Sequence, residues 1–567
     1  MRKNQLLILF LLLIAGNTYC QRPAAFQPSA LQTISTQLPP AYVRMWTYDT
    51  TTHQQMSATF SGVVVTKEGH ILTVAHTTVP GNTYMVTFTD GRAAIAMALG
   101  KINFPETPEL PDVAMMKILT PGDWPVAPMG WSYDLKENEP CFSIAYPESL
   151  NQPLPMMTAG HITRVKNEKG FIESTCMMEP GDSGGPLFDY LGRVIGLRSA
   201  IEPDEKKNYD VPVDLYRKYW AALLQPVHYL KYPEIRDSIN TDPSEGLISS
   251  HDQLESLRLT MKTNKLNKMA SVQVESVAGN QQRSINGLLI DVKGQSFVVS
   301  KNSEVAQEPL VLYNGKSIKT RIIARDKEND LVLLGLDAHV KGGIAFPVNG
   351  PVAIGRGVFL LSPQPDTLAI ASVFGKDTFS LPKMSSLGFL GAAIAPDKQP
   401  LVLTYVMPGS PADAKGATPG DEIISINGVA VNEPMDYGRE LSAYWPGDTV
   451  IIKRRLHAVA EGTDGVAGKV HQVAEVNDTI VLAKRPQLPA THATDLFRGG
   501  KSERRDGFQS VIAHDAILRP EQCGGPVFTT AGVLAGINIA RHSRTVTLAV
   551  PAALVQAFVL QNIGVKH

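Results

Sequence analysis

At 567 residues the chain is too long for one hydrophobic core and is expected to hold about three domains. Apolar residues make up 43% and charged residues 19%, an ordinary globular balance that excludes wholesale disorder. The formal net charge of −1 argues against a nucleic-acid or membrane-surface partner.

The first segment is a transport signal in form. Arg2-Lys3 precede an apolar run from Leu6 to Ala15, then Gly16-Asn17-Thr18-Tyr19-Cys20-Gln21. A basic start, a short apolar stretch and a polar end predict a signal peptide over 1–20, too short to span a bilayer comfortably. Asn17-Thr18-Tyr19 lacks the small and aliphatic residues of a lipoprotein signal. An exported protein, periplasmic or secreted, is expected, with no membrane attachment after signal removal. Cys141, Cys176 and Cys523 then remain, an odd number that excludes a dense disulfide framework. Pairing of Cys141 with Cys176 stays open.

Next come two strand-like runs joined by Lys67-Glu68-Gly69, with His76 at the end of the second. Asp112 opens a further run, Asp112-Val113-Ala114-Met115-Met116. Then Met178-Glu179-Pro180-Gly181-Asp182-Ser183-Gly184-Gly185-Pro186-Leu187 sets a serine in a glycine-lined turn. Such a serine attacks a carbonyl only if the backbone approaches closely and N–H groups hold the resulting oxyanion. His, Asp, Ser is a known chain order for a catalytic triad, with His76 as general base and Asp112 orienting it.

On Thr73-Val74-Ala75-His76, Asp112-Val113-Ala114-Met115 and Gly181-Asp182-Ser183-Gly184-Gly185-Pro186 the chain resembles the trypsin/chymotrypsin-like serine peptidases. The resemblance implies a double β-barrel, with Ser183 as nucleophile and the backbone N–H groups of Gly181 and Ser183 as oxyanion hole. It also implies that Met177 floors the specificity pocket, which then takes small or medium apolar residues.

The C-terminal half reads as a second copy. Gly287 falls under Gly62, Gly294 under Gly69 and Lys301 under His76, without a gap. Asp330-Leu331-Val332 matches Asp112-Val113-Ala114, and Pro520-Glu521-Gln522-Cys523-Gly524-Gly525-Pro526 matches Pro180 to Pro186. Lysine replaces the base, cysteine the nucleophile and Glu521 the oxyanion glycine, so this copy is expected to be non-catalytic. A redox role for Cys523 is the lesser alternative.

An insert separates Val373 from Phe508 in this copy. It contains Pro408-Gly409-Ser410-Pro411-Ala412 and Pro419-Gly420-Asp421-Glu422-Ile423-Ile424-Ser425-Ile426-Asn427-Gly428, and there it resembles the PDZ domains attached to HtrA/Deg-type proteases. The resemblance implies a strand edge that accepts extended peptides, with Phe389, Leu390, Gly391 and Ala392 as the loop that holds a C-terminal carboxylate. Glu503-Arg504-Arg505-Asp506 is expected to be a solvated linker.

The fold class expected is mainly β: two trypsin-like double β-barrel domains, the second degenerate, plus a PDZ domain inserted in the second. The expected limits are 21–245 for the first, 246–385 and 491–567 for the two parts of the second, and 386–490 for the PDZ domain. The expected activity is serine endopeptidase action on polypeptides, in protein quality control. The alternative is a peptide-binding scaffold or chaperone with a latent protease site. No metal or cofactor is expected, because the His residues are scattered and no Cys/His cluster has ligand spacing. Expected partners are polypeptide substrates and peptide C-termini, with oligomeric state left open.

Overall fold

The computed structural model describes residues 28–104, 106, 111–244, 270–348, 354–365, 367–397, 399–457, 474–486 and 494–564. The expected signal at 1–20, with Cys20, lies outside the described residues.

The first half holds two closed barrels. In one, Tyr42–Asp49, Phe60–Val64, His70–Thr73, Val113–Ile118, Ala93–Ile102 and Thr83–Thr87 pair antiparallel, each with the next and the last with the first. Thr83–Thr87 alternates half-buried and buried residues, the period of a strand with one face on a core. Gly62 faces crowded space, where a Cβ would meet Met45 Cε at 2.5 Å. The other barrel closes through Pro140–Ala145, Met156–Arg164, Ile172–Ser174, Asn208–Pro212, Val194–Ile201 and Pro186–Asp189.

The second half repeats this plan. Ser271–Ala278, Gln281–Val292, Gln295–Lys301, Leu331–Leu336, Lys316–Asp326 and Gln307–Tyr313 form one ring. Phe359–Ser362, Ile370–Leu381, Phe508–His514, Thr547–Pro551, Leu534–Arg541 and Pro526–Thr529 form the other. Gly287 is as crowded as Gly62, with Val298 Cγ1 2.6 Å from where its Cβ would lie. Between Ile370–Leu381 and Phe508–His514 lies a separate unit with its own core. It pairs Ala392–Ile394 with Leu403–Val406, and joins Val429–Ala430, Glu422–Ile426, Thr449–Arg455 and Glu475–Val481 in a second sheet, beside helix Pro434–Ser442. Its two connections are clamped together: Asp506 accepts the N–H groups of Ser385 at 2.6 Å and Ser386 at 3.0 Å.

The halves pack against each other. Buried Asp515 accepts Val373 N–H at 2.6 Å from its own half and Ala159 N–H at 2.9 Å from the first. Burial pushes its carboxyl up to about 6. Helix Pro28–Gln37 joins the contact, Ser35 Oγ donating to Arg356 O at 3.0 Å. The buried thiols of Cys141 and Cys176 lie 3.7 Å apart, within hydrogen-bond reach but not joined by a disulfide. Among the described residues no helix is long and apolar enough to cross a membrane, and no three His, Cys, Asp or Glu side chains group to hold a metal ion.

Candidate active site

His76 rides on the short turn Ala75–Thr77 that ends strand His70–Thr73. Asp112 immediately precedes Val113–Ile118, and the register Thr73↔Ala114 brings both to one end of the same barrel. Ser183 comes from the other barrel, in the turn before Pro186–Asp189. Ser61 locks the two together: its N–H donates to Ser183 O at 2.8 Å and its hydroxyl to Gly181 O at 2.7 Å. Gly184 has φ +80°, and a Cβ there would lie 2.3 Å from Ser61 O, so glycine alone permits this approach.

The three side chains meet. His76 Nδ1 lies 2.8 Å from Asp112 Oδ2, and His76 Nε2 lies 3.2 Å from Ser183 Oγ. The His76 N–H also donates to Asp112 Oδ1 at 2.9 Å. Burial raises the Asp112 carboxyl, but the hydrogen bond and charge of His76 outweigh it and hold the group below the usual carboxylate range. Burial likewise lowers His76, yet the bond and charge of Asp112 win, so its pKa is raised. Lys101 Nζ donates to Thr78 O at 2.9 Å and braces the turn that carries the ring.

Two N–H groups of the serine turn are unengaged. Neither Gly181 N–H nor Ser183 N–H has an acceptor among the described residues, although their neighbours do: Asp182 N–H bonds Glu179 O at 3.1 Å and Gly184 N–H bonds Arg198 O at 2.8 Å. Gly181 holds φ +94°, and a Cβ there would stand 2.4 Å from Tyr146 O. A carbonyl oxygen placed over Ser183 would find both donors free. Asp182 points inward, and burial followed by the charge of Glu179 pushes its carboxyl up to about 8.

One contributor was missed in the sequence. Ser199 Oγ donates to Asp112 Oδ2 at 2.7 Å, the carboxylate oxygen that faces His76. Met177 is buried, and Arg198, which donates to the carbonyl of the adjacent Cys176, pairs with Asp210 at 3.3 Å, both fully enclosed. The acid there is matched by a resident cation.

The second half holds a different arrangement at the equivalent place. Asn286 N–H donates to Cys523 O at 3.1 Å, as Ser61 does to Ser183. Lys301 Nζ, however, donates to Arg504 O at 2.9 Å and lies 3.9 Å from Asp330 Oδ2. With Glu521 in place of the glycine, Pro520–Gln522 closes into a helical turn, and Cys523 N–H is consumed by Pro520 O at 3.2 Å. Burial pushes the Cys523 thiol up, away from the reactive thiolate.

The stretch expected to be a solvated linker is not one. Ser502, Arg504 and Asp506 are buried, with Ser502 Oγ 4.0 Å from Cys523 Sγ. Ser502 exchanges bonds with Arg541, N–H to O and N–H to Oγ, both at 2.9 Å. The Arg504 guanidinium stacks 3.8 Å from the Trp445 ring centroid. Residues 502–504 thus lie against Lys301, Asp330 and Cys523.

In the inserted unit, Phe389 exchanges backbone bonds with Ala483, while the N–H groups of Leu390 and Gly391 have no acceptor among the described residues. Gly391 takes φ +81°. Ala392 O, on the strand edge, is already met by Tyr437 OH of the adjacent helix at 2.9 Å.

Residues 60–197 match the family model for a trypsin-like peptidase domain, and residues 378–435 the one for a PDZ domain. A protein named "Probable periplasmic serine endoprotease DegP-like" from Hahella chejuensis is 32% identical over 154 residues, covering 26% of this chain and 31% of its own length. "Serine protease HTRA1" from Xenopus tropicalis is 29% identical over 172 residues, 29% of this chain and 36% of that one. The chain thus spans about a third of the length of these relatives. The crystal structure of a serine endoprotease from Yersinia pestis overlaps 81% of this chain and 99% of its own at 14% identity and TM-score 0.30.

Proposed function

We propose, for a chain that carries the trypsin-like peptidase and PDZ domains of HtrA/Deg-type proteases, that it is an exported serine endopeptidase cutting polypeptides in protein quality control. The observation that carries this reading is the unbroken line Asp112–His76–Ser183 beside two unengaged N–H groups. In the reaction His76 Nε2 takes the Ser183 proton as Oγ attacks the scissile carbonyl. Asp112, its own charge held by Ser199 and His76, stabilises the imidazolium. Gly181 and Ser183 N–H receive the oxyanion, and His76 returns the proton to the leaving amine. Export is supported by the form of residues 1–20 and by the periplasmic naming of one relative.

The protease unit is assigned to 21–245, the degenerate unit to 246–385 with 491–567, and the PDZ unit to 386–490. The degenerate unit is read as non-catalytic: its base is tied to Arg504 O, its thiol is buried and its oxyanion donor is spent. Phe389, Leu390, Gly391 and Ala392 are assigned to the C-terminal carboxylate of a bound peptide. The test is cleavage of an unfolded protein and labelling by a serine-directed phosphonate. Both should be present in the wild type and in Cys523→Ala and absent in Ser183→Ala. Cleavage retained by Ser183→Ala would overturn the reading.

A further inference from the structure

The turn between the last two strands of the second half, residues 542–546, is buried rather than solvated. It enters the first half beside the loops that carry the site. Thr545 N–H donates to Glu179 Oε2 at 3.4 Å, and the other oxygen of that carboxylate takes the hydroxyl of Ser149. The His542 ring lies between two carbonyls, Nε2 at 3.0 Å from Ser149 O and Nδ1 at 2.8 Å from Arg505 O. Arg544 Nη2 donates to Asp204 O at 3.0 Å.

These contacts reach the oxyanion donors in a few steps. Glu179 stands just before Pro180-Gly181, and its N–H is held by Asp182 Oδ2 at 3.0 Å. Pro180 O receives Glu148 N–H at 2.8 Å, from the loop that Ser149 shares. The next loop round, behind Asp204, supplies Asn208, whose Oδ1 holds Met178 N–H at 3.2 Å. The turn therefore grips the segment 178–183 from both flanks.

The seam is polar and only partly satisfied. Acids line one side (Glu179, Asp204, Glu205) and Arg541 and Arg544 the other, close enough for their charges to act on each other. Yet Ser543 Oγ, Thr545 Oγ1 and Glu205 Oε1 are buried without a hydrogen-bond partner among the described residues. Each such group left unpaired costs about 1–3 kcal/mol, which offsets part of what the other contacts of the seam contribute.

We infer that the 542–546 turn is a built-in brace, with Thr545 and His542 as positioning residues that hold the Gly181 and Ser183 N–H groups in register through Glu179 and Ser149. The degenerate half then governs the first half's chemistry by engaging or leaving this seam. The inference rests on the reading of Ser183 as nucleophile.

The full-length chain tests it. Thr545→Pro deletes the N–H that reaches Glu179, His542→Ala deletes the ring, and Thr545→Ala keeps that N–H while removing the hydroxyl and the methyl of the side chain. Removing one oxyanion donor outright lowers kcat by about 10²–10³, so loosening the pair is expected to slow phosphonate labelling and kcat about tenfold. KM for a short peptide should stay near wild type in Thr545→Pro and His542→Ala, and Thr545→Ala should behave as wild type throughout. Circular dichroism checks that each variant is folded; if Thr545→Pro is not, His542→Ala decides. Wild-type labelling rates in folded Thr545→Pro or His542→Ala would overturn the brace, as would a loss in Thr545→Ala equal to theirs. Absence of labelling in the wild type would instead sink the reading of Ser183.

Discussion

Ser199 reaches from the second barrel of the first half to donate a hydroxyl hydrogen bond to Asp112, on the first, across 2.7 Å. Asp112 is almost wholly buried, and an ionised carboxylate in that position is tolerable only when its lone pairs are taken. The bond therefore keeps the triad's anion charged as well as aimed.

Ser183→Ala and His76→Ala should each lower kcat by several orders of magnitude, and the double variant should add little, because triad members act as a unit. Asp112→Asn is expected to lower kcat about 10⁴-fold by reversing the ring's hydrogen-bond sense. Ser199→Ala loses one bond to a charged group and should cost about tenfold. Steady-state kinetics on one peptide substrate orders the four.

The pH profile should have two limbs of different origin. His76 must be neutral to accept the Ser183 proton and its pKa is raised, so kcat/KM should climb with pH through a value above the ordinary histidine pKa of about 6.5. Asp182, by contrast, is pushed up to about 8, so the folded loop favours its protonated form. That contribution to stability is complete below the ordinary aspartate value and is lost as pH rises through about 8. Asp182→Asn keeps an oxygen for Glu179 N–H and cannot ionise. Thermal stability measured against pH should lose less on the alkaline side in this variant, and an unchanged profile would remove Asp182 from the account.

Cleavage should follow small or medium apolar residues. Met177 is buried at the position the family resemblance assigns to the pocket floor, and the nearby Asp210 is paired with Arg198 rather than open to a substrate cation. A cleavage-site profile dominated by Lys and Arg would contradict this.

The PDZ groove offers a gain-of-binding test. Tyr437 OH occupies the edge carbonyl of Ala392 that an added strand would use. Tyr437→Phe should strengthen binding of peptides with a free C-terminus a few-fold, read by fluorescence anisotropy, while amidated peptides gain nothing. This substitution is more diagnostic than a bulky residue at Gly391, where a Cβ would collide with Ser410 Cβ at 2.1 Å and disturb the loop itself.

The residues proposed to carry chemistry in the first half stand out in the sequence because each sits at a strand end or in a glycine turn with a recognisable flank. Ser199 does not. It lies where the pairing of Val194–Ile201 with Asn208–Pro212 slips register between Arg198 and Ala200, and the side-chain direction set there follows from a bulge no local pattern announces. The repeat is legible for a similar reason to the triad: Gly62 and Gly287 are both demanded by crowding inside a barrel. The charge run 503–506 misleads because its neutralisation is non-local. Arg504 donates to Glu328 O at 2.9 Å, from far earlier in the chain, and stacks on a tryptophan of the inserted unit. The 542–546 seam is hidden in the same way, since its partners lie in the other half of the chain.

The clamp at Asp506 bears on how the chain acquires its shape. Strands Ile370–Leu381 and Phe508–His514 must pair to close the last barrel, yet the whole inserted unit lies between them. Were that stretch an unstructured tether, closing it would carry the entropy of a long loop, which rises with the logarithm of its length. Asp506 instead pins residues 120 and 121 positions away, Ser386 and Ser385, directly beside the exit strand. Once the inserted unit has folded, its two ends are delivered as neighbours, and a contact of high sequence separation becomes kinetically short-range. The final barrel is therefore expected to close more readily once the insert has folded.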